Sequence, residues 1–130
     1  MITASELRRV ARARAQDAEI LLNAKRYDAA FYICGYSVEL ALKARICRTL
    51  KWPGFPEGGQ EFNGLQSVKT HDLDVLLKFS GIETRVIENY FREWSAVLGW
   101  RPEWRYQVGQ FSSQDATTML TCTKELLRIL

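Results

Sequence analysis

Apolar residues mark the first twenty or so positions as one helix face: Leu7, Ala11, Ala15, Ala18 and Leu22 recur at spacings of four, four, three and four. Ser5 stands where an N-cap belongs, and the pattern runs to Asn23. After a few residues a second segment, Tyr27–Leu50, is apolar in nearly every direction, with Ala30, Ile33, Cys34, Val38, Leu40, Leu42 and Ile46 spread around the helix. A helix of this kind is surrounded by other helices. It nevertheless carries one polar stripe, Asp28, Tyr32, Tyr36, Glu39 and Lys43, whose spacings of four, four, three and four stack them on a single face. The stripe meets solvent, a partner chain or a polar site inside the protein.

The short link between these segments predicts a helical hairpin of antiparallel neighbours. Trp52–Gly59 is dense in Gly and Pro and breaks helix, opening the longest loop in the chain, the sort of loop that is functional or mobile. Order returns where Thr70 or Asp72 caps a short helix bearing Leu73, Leu76, Leu77 and Phe79 and ending at Gly81. A fourth helix, Thr84–Leu98, shows the aromatic face Tyr90, Phe91 and Trp94 and stops at Gly99. Trp100–Tyr106 is an Arg- and aromatic-rich connector, and the last helix runs from Ser113 to Leu130 with Asp115 in its first turn. No segment alternates as a strand does. The expected fold is all-α, an up-and-down bundle of four long helices plus one short helix, built as a single domain over residues 1–130.

Composition narrows the chemistry. At 47% apolar and 25% charged the chain is an ordinary globular domain, and a net charge of +3 is too mild to announce a nucleic-acid binder. Charge is denser locally, where Arg8, Arg9, Arg12 and Arg14 crowd the first helix, a solvated face first and a phosphate contact second. Cys34, Cys47 and Cys122 are too few and too scattered for a disulfide framework, and with one histidine there is no zinc pattern. Core thiols suit a reducing, cytoplasmic setting. No cofactor motif is present, no apolar run approaches the roughly 20 residues of a membrane span, and the Arg/Ala-rich start lacks the apolar stretch of an export signal.

The run Asp28-Ala29-Ala30, Gly35-Tyr36 and Glu39–Ala44, followed by His71-Asp72-Leu73 and Arg105-Tyr106, resembles the HEPN domain (higher eukaryote and prokaryote nucleotide-binding) over residues 4–130. The most specific element is Tyr36, Glu39, Lys43 and Ala44 on the second helix. The resemblance implies a small helical bundle, commonly a homodimer, acting with a minimal nucleotidyltransferase in toxin–antitoxin or defence systems. A second branch of the family serves nucleotidyltransferases as a substrate-binding module.

HEPN ribonucleases carry an Arg followed, after four to six residues, by a His. Here the only histidine is His71, residues 64 to 67 are Gly-Leu-Gln-Ser, and nothing after Arg101 or Arg105 supplies an imidazole. Proton transfer at a ribose hydroxyl needs a group that exchanges protons near neutrality, which Arg and Tyr do not provide. The missing motif favours a non-catalytic module that dimerises and binds RNA, a nucleotide or a cognate nucleotidyltransferase. The alternative is a divergent metal-independent ribonuclease using His71 with Arg101 or Arg105.

A carboxylate on an apolar helix demands a cation. Glu39, Lys43, His71, Arg101, Arg105 and Tyr106 are therefore expected to converge on one nucleotide- or RNA-binding cleft, with Arg105 as the partner of Glu39, Arg and Lys on phosphate, and Tyr106 with Trp104 as a stacking surface. Each residue also has a plainer role: Glu39 and Lys43 as an i, i+4 pair, His71 as a cap, and the tryptophans as core.

Overall fold

The computed structural model describes residues 1–130 and is all-helical. It contains α1 (Ala4–Asn23), α2 (Tyr27–Leu50), α3 (Leu73–Phe79), α4 (Glu83–Asn89), α5 (Phe91–Leu98) and α6 (Ser113–Ile129), with 3₁₀ turns at Gln66–Val68 and Pro102–Tyr106. α2 is the central pillar, packed against α1, α3, α6 and the 102–106 turn. Its buried residues take most directions around the axis, as the pattern predicts.

The hairpin is zipped by small residues. Leu7, Ala11, Ala15 and Ala18 of α1 are buried, and the Ser37 hydroxyl of α2 donates across the seam to the Ala11 carbonyl at 2.6 Å. α1 begins two residues earlier than Ser5 suggests: Thr3 caps it, with its hydroxyl accepting from the Glu6 amide and the Glu6 carboxylate accepting from the Thr3 amide. The Thr-x-x-Glu spelling of this capping box is present in the sequence. α6 starts with the same device, Ser112 with Asp115, and α3 is capped by Asp72.

The expected fourth long helix is two short ones. Tyr90, at φ −132° and ψ 30°, ends α4 and begins α5: its N–H donates to Val86, and its carbonyl accepts from Trp94. The architecture is three long helices of 20, 24 and 17 residues with three short ones, in place of four long and one short. No Gly or Pro stands at 90, so the helical periodicity of 84–98 conceals the break.

The long loop folds back onto the bundle. Phe55 pairs with Ile2 by reciprocal backbone hydrogen bonds of 3.0 and 2.7 Å, and Phe55, Phe62 and Val68 are buried in the main core. All three cysteines are buried and free. Burial pushes the Cys34 thiol up to about 12, against a smaller opposing effect of the nearby Thr123 hydroxyl, and raises Cys47 and Cys122 in the same direction. No helix is long and apolar enough to cross a membrane.

Gly35 has a role that its sequence context does not suggest. Its small size reads as permitting close approach of a second chain, but a Cβ there would lie 2.1 Å from the Trp100 indole of the same chain. Trp100 is buried against α2, and its indole N–H donates to the Tyr32 carbonyl at 3.0 Å. The glycine is a socket for the connector.

Candidate functional site

The polar stripe of α2 does form one face, and it is served at two stations. At the first, Asp28 accepts three backbone amides of the segment leading into α6: Gly109 at 2.6 Å, Gln110 at 3.0 Å and Phe111 at 2.9 Å. Successive amides converge on one carboxylate because Gly109 has φ +71°, a left-handed conformation that turns consecutive N–H groups to a common centre. Stacking of Phe31 on Phe111, centroids 3.7 Å apart, and an edge contact of Trp104 on Phe111 pin the same segment.

At the second station, about 16 Å further along the helix at 1.5 Å per residue, Glu39 is only 2% exposed. One oxygen lies 2.8 Å from His71 Nδ1 and the other 3.3 Å from Lys43 Nζ. A lone buried carboxylate would cost several kcal/mol in desolvation, and the two partners offset that cost. Glu39 is surrounded by core, yet the His71 side chain is 63% exposed and that of Lys43 17%. The contact is made through Nδ1, which leaves Nε2 of a largely exposed imidazole without a partner inside the chain. The buried carboxylate fixes the direction of the ring.

His71 shares a cleft of about 570 Å³ with Thr70, Asp72, Trp100, Arg101 and Glu103. Of the six expected residues, His71 and Arg101 line this cleft; Glu39 contacts His71 and Lys43 contacts Glu39, but neither of those two lines it. Arg105 and Tyr106 are not part of it. Arg105 lines a separate hollow of about 560 Å³ with Lys25, Arg26, Tyr27, Asp28, Tyr32 and Trp104. Its guanidinium lies 4.8 Å from the Tyr106 ring centre and is held above the ordinary arginine value by Tyr106 first and Tyr32 next. Glu39 therefore takes its partners from its own helix and from His71, two residues ahead of α3, and not from Arg105. The reason is the connector's anchorage: Trp100 in the Gly35 socket and residues 109–111 on Asp28 hold it over the first half of α2, out of reach of position 39.

Asp28 was visible as part of the stripe, but its partners are main-chain amides, which no side-chain pattern announces. Lys69 also went unread; it stands beside His71 with its Nζ 5.8 Å from the Phe62 ring centre. No three His, Cys, Asp or Glu side chains are grouped as metal ligands.

Comparison with known proteins bears on the hairpin. The family model described as HEPN domain matches residues 4–53, which span α1, α2 and the start of the long loop. His71, Arg101, Arg105 and Tyr106 lie beyond the matched segment. No curated protein and no solved structure matches the chain. The α1–α2 hairpin, with Glu39 and Lys43 on its polar face, is the part of the chain that is similar to the HEPN domain.

Proposed function

We propose that the chain is a HEPN-family helical module that binds RNA or a nucleotide through phosphate in the cleft between His71 and Arg101, without cleaving it. The observation that carries this reading is the buried Glu39, whose carboxylate positions His71 at the border of that cleft. Arg101 is exposed and forms no ion pair within the chain, so its guanidinium is free for a phosphate. Arg105, with Trp104 and Tyr106, supplies a second cation-and-aromatic surface at the other end of α2, suited to a base or a further phosphate of the same strand. The reading includes a homodimer, supported by Ile87, Phe91 and Leu98, which α4 and α5 leave exposed. It also includes a cytoplasmic setting and a nucleotidyltransferase partner in a toxin–antitoxin or defence system, both on the family resemblance.

The test is fluorescence anisotropy with a labelled oligoribonucleotide and with ATP, at low and moderate salt. Arg101→Ala should weaken RNA binding about tenfold, the worth of one charge-assisted contact. Unchanged affinity in both Arg101→Ala and Arg105→Ala would remove the basis of the proposal.

A second reading, the divergent ribonuclease, is favoured by one observation: the carboxylate–imidazole hydrogen bond gives His71 the orientation of a proton-transfer group. It is separated by incubating RNA with the protein in EDTA. Binding without cleavage supports the first reading, and cleavage abolished by His71→Ala supports the second.

A further inference from the structure

A different hollow, about 560 Å³, shares Thr70 and His71 with the Arg101 cleft but is otherwise lined by other residues. Its walls come from α2 and the folded-back loop: Leu40, Phe55, Phe62 and Val68 are buried in it, and Tyr36 is half-buried. Phe55 and Phe62 meet edge to face with centroids 6.2 Å apart. The hollow thus offers a continuous apolar surface of a size that takes small organic molecules.

The charge at its mouth is one-sided. Lys43, Lys69 and His71 line it, against a single carboxylate, Glu57, which is exposed. Glu39 is already committed to Lys43 and His71 and is not part of the lining. Each ammonium is also held by an aromatic wall: Lys43 Nζ is 5.2 Å from the Phe55 ring centre and Lys69 Nζ 5.8 Å from that of Phe62. Lys69 forms no ion pair, so it is a positioned, uncompensated cation beside an apolar hollow.

We propose that this hollow binds a small organic anion, its apolar body packed on Leu40, Phe55 and Phe62 and its carboxylate or phosphate head held by Lys69 together with His71. The site is distinct from the RNA cleft and shares only the 70–71 corner with it. Ligand and strand would then meet at His71, which makes the small anion a means of tuning what the Arg101 side binds.

The experiment titrates 1-naphthoate into the isotopically labelled full chain and follows amide chemical shifts. Saturable shifts concentrated at residues 55–71 and in the 36–43 stretch of α2 are expected. Affinity should fall about tenfold for the neutral analogue 1-naphthylmethanol and about tenfold in Lys69→Glu, while Lys69→Arg should retain it. Lys69 is exposed, so these substitutions leave the fold intact, which the amide spectrum itself verifies. Absence of saturable shifts, equal affinity for the neutral analogue, or no effect of Lys69→Glu would each overturn the proposal. Arg101→Ala should leave naphthoate binding unchanged. Loss of oligoribonucleotide binding in wild type with naphthoate binding retained would sink the RNA reading alone, and the reverse result would sink this one alone.

Discussion

Asp28 and Glu39 are carboxylates on the same face of the same helix, and they are used in opposite ways. Asp28 is half-buried and satisfied by main-chain amides, so its binding energy goes into fixing the course of residues 109–111. Glu39 is buried and satisfied by side chains, so its binding energy goes into directing an exposed imidazole and a lysine. A carboxylate that holds backbone shapes the scaffold. One that is buried in order to hold polar side chains near the surface shapes chemistry, because a core position gains nothing from a charge that an apolar residue would not supply more cheaply.

The sharpest break of this contrast lies between the two stations, at Gly35. Gly35→Ala drives a methyl into the Trp100 indole and should destabilise the protein by about 3 kcal/mol in urea unfolding, with the connector released and both stations disturbed. A loss under 1 kcal/mol would show that Trp100 leaves its socket easily. Glu39→Ala should cost about 2 kcal/mol, since it leaves His71 and Lys43 without their acceptor, and should abolish any function that depends on the ring's direction. Glu39→Gln is the sharper variant: shape and one acceptor are kept, so stability should change little while RNA affinity falls.

Asp28→Ala should cost about 1 kcal/mol, less than Glu39→Ala, because water can reach most of the amides it frees. Hydrogen exchange at Gly109, Gln110 and Phe111 should accelerate while His71 keeps its ring environment by NMR. Disturbance of His71 in that variant would join the two stations into one. The smallest effect concerns the thiols. Cys34, raised from 9.0 to about 12, is protonated in the fold where the unfolded chain has already lost the proton. Its contribution to stability is therefore complete below pH 9 and lost as pH rises from there to about 12. At pH 8.5 iodoacetamide should label none of the three cysteines in the native protein and all of them in urea.

Pattern was sufficient for the hairpin, because α1 repeats its apolar spacing over five turns, α2 is apolar around most of its circumference, and a short turn joins the two. The same signal concealed the interruption at Tyr90, where both halves keep a helical spacing and the break is made by a single residue's backbone angles. The convergence of Glu39 with Lys43 and His71 followed from charge logic: a core carboxylate needs polar partners, and Lys43 on its own helix and His71 ahead of α3 supply them. Arg105 was misassigned because charge gives demand without direction. Its direction is set by Trp100 and by the Gly109–Phe111 amides, long-range contacts to Gly35 and Asp28 that carry no sequence period.

The connector is clamped at Trp100 on one side and at residues 109–111 on the other, while Val108 between them is 95% exposed. Its free tip is therefore mechanically insulated from the bundle. Extra residues placed after Gln107 lengthen a loop whose two ends are already fixed, and each doubling of such a loop costs only about 0.6 kcal/mol. A protease site, an epitope or a small reporter domain inserted there should be accepted with the helices unmoved, and a cut at that point should leave the two pieces bound to each other by the surfaces that α2 presents to α6.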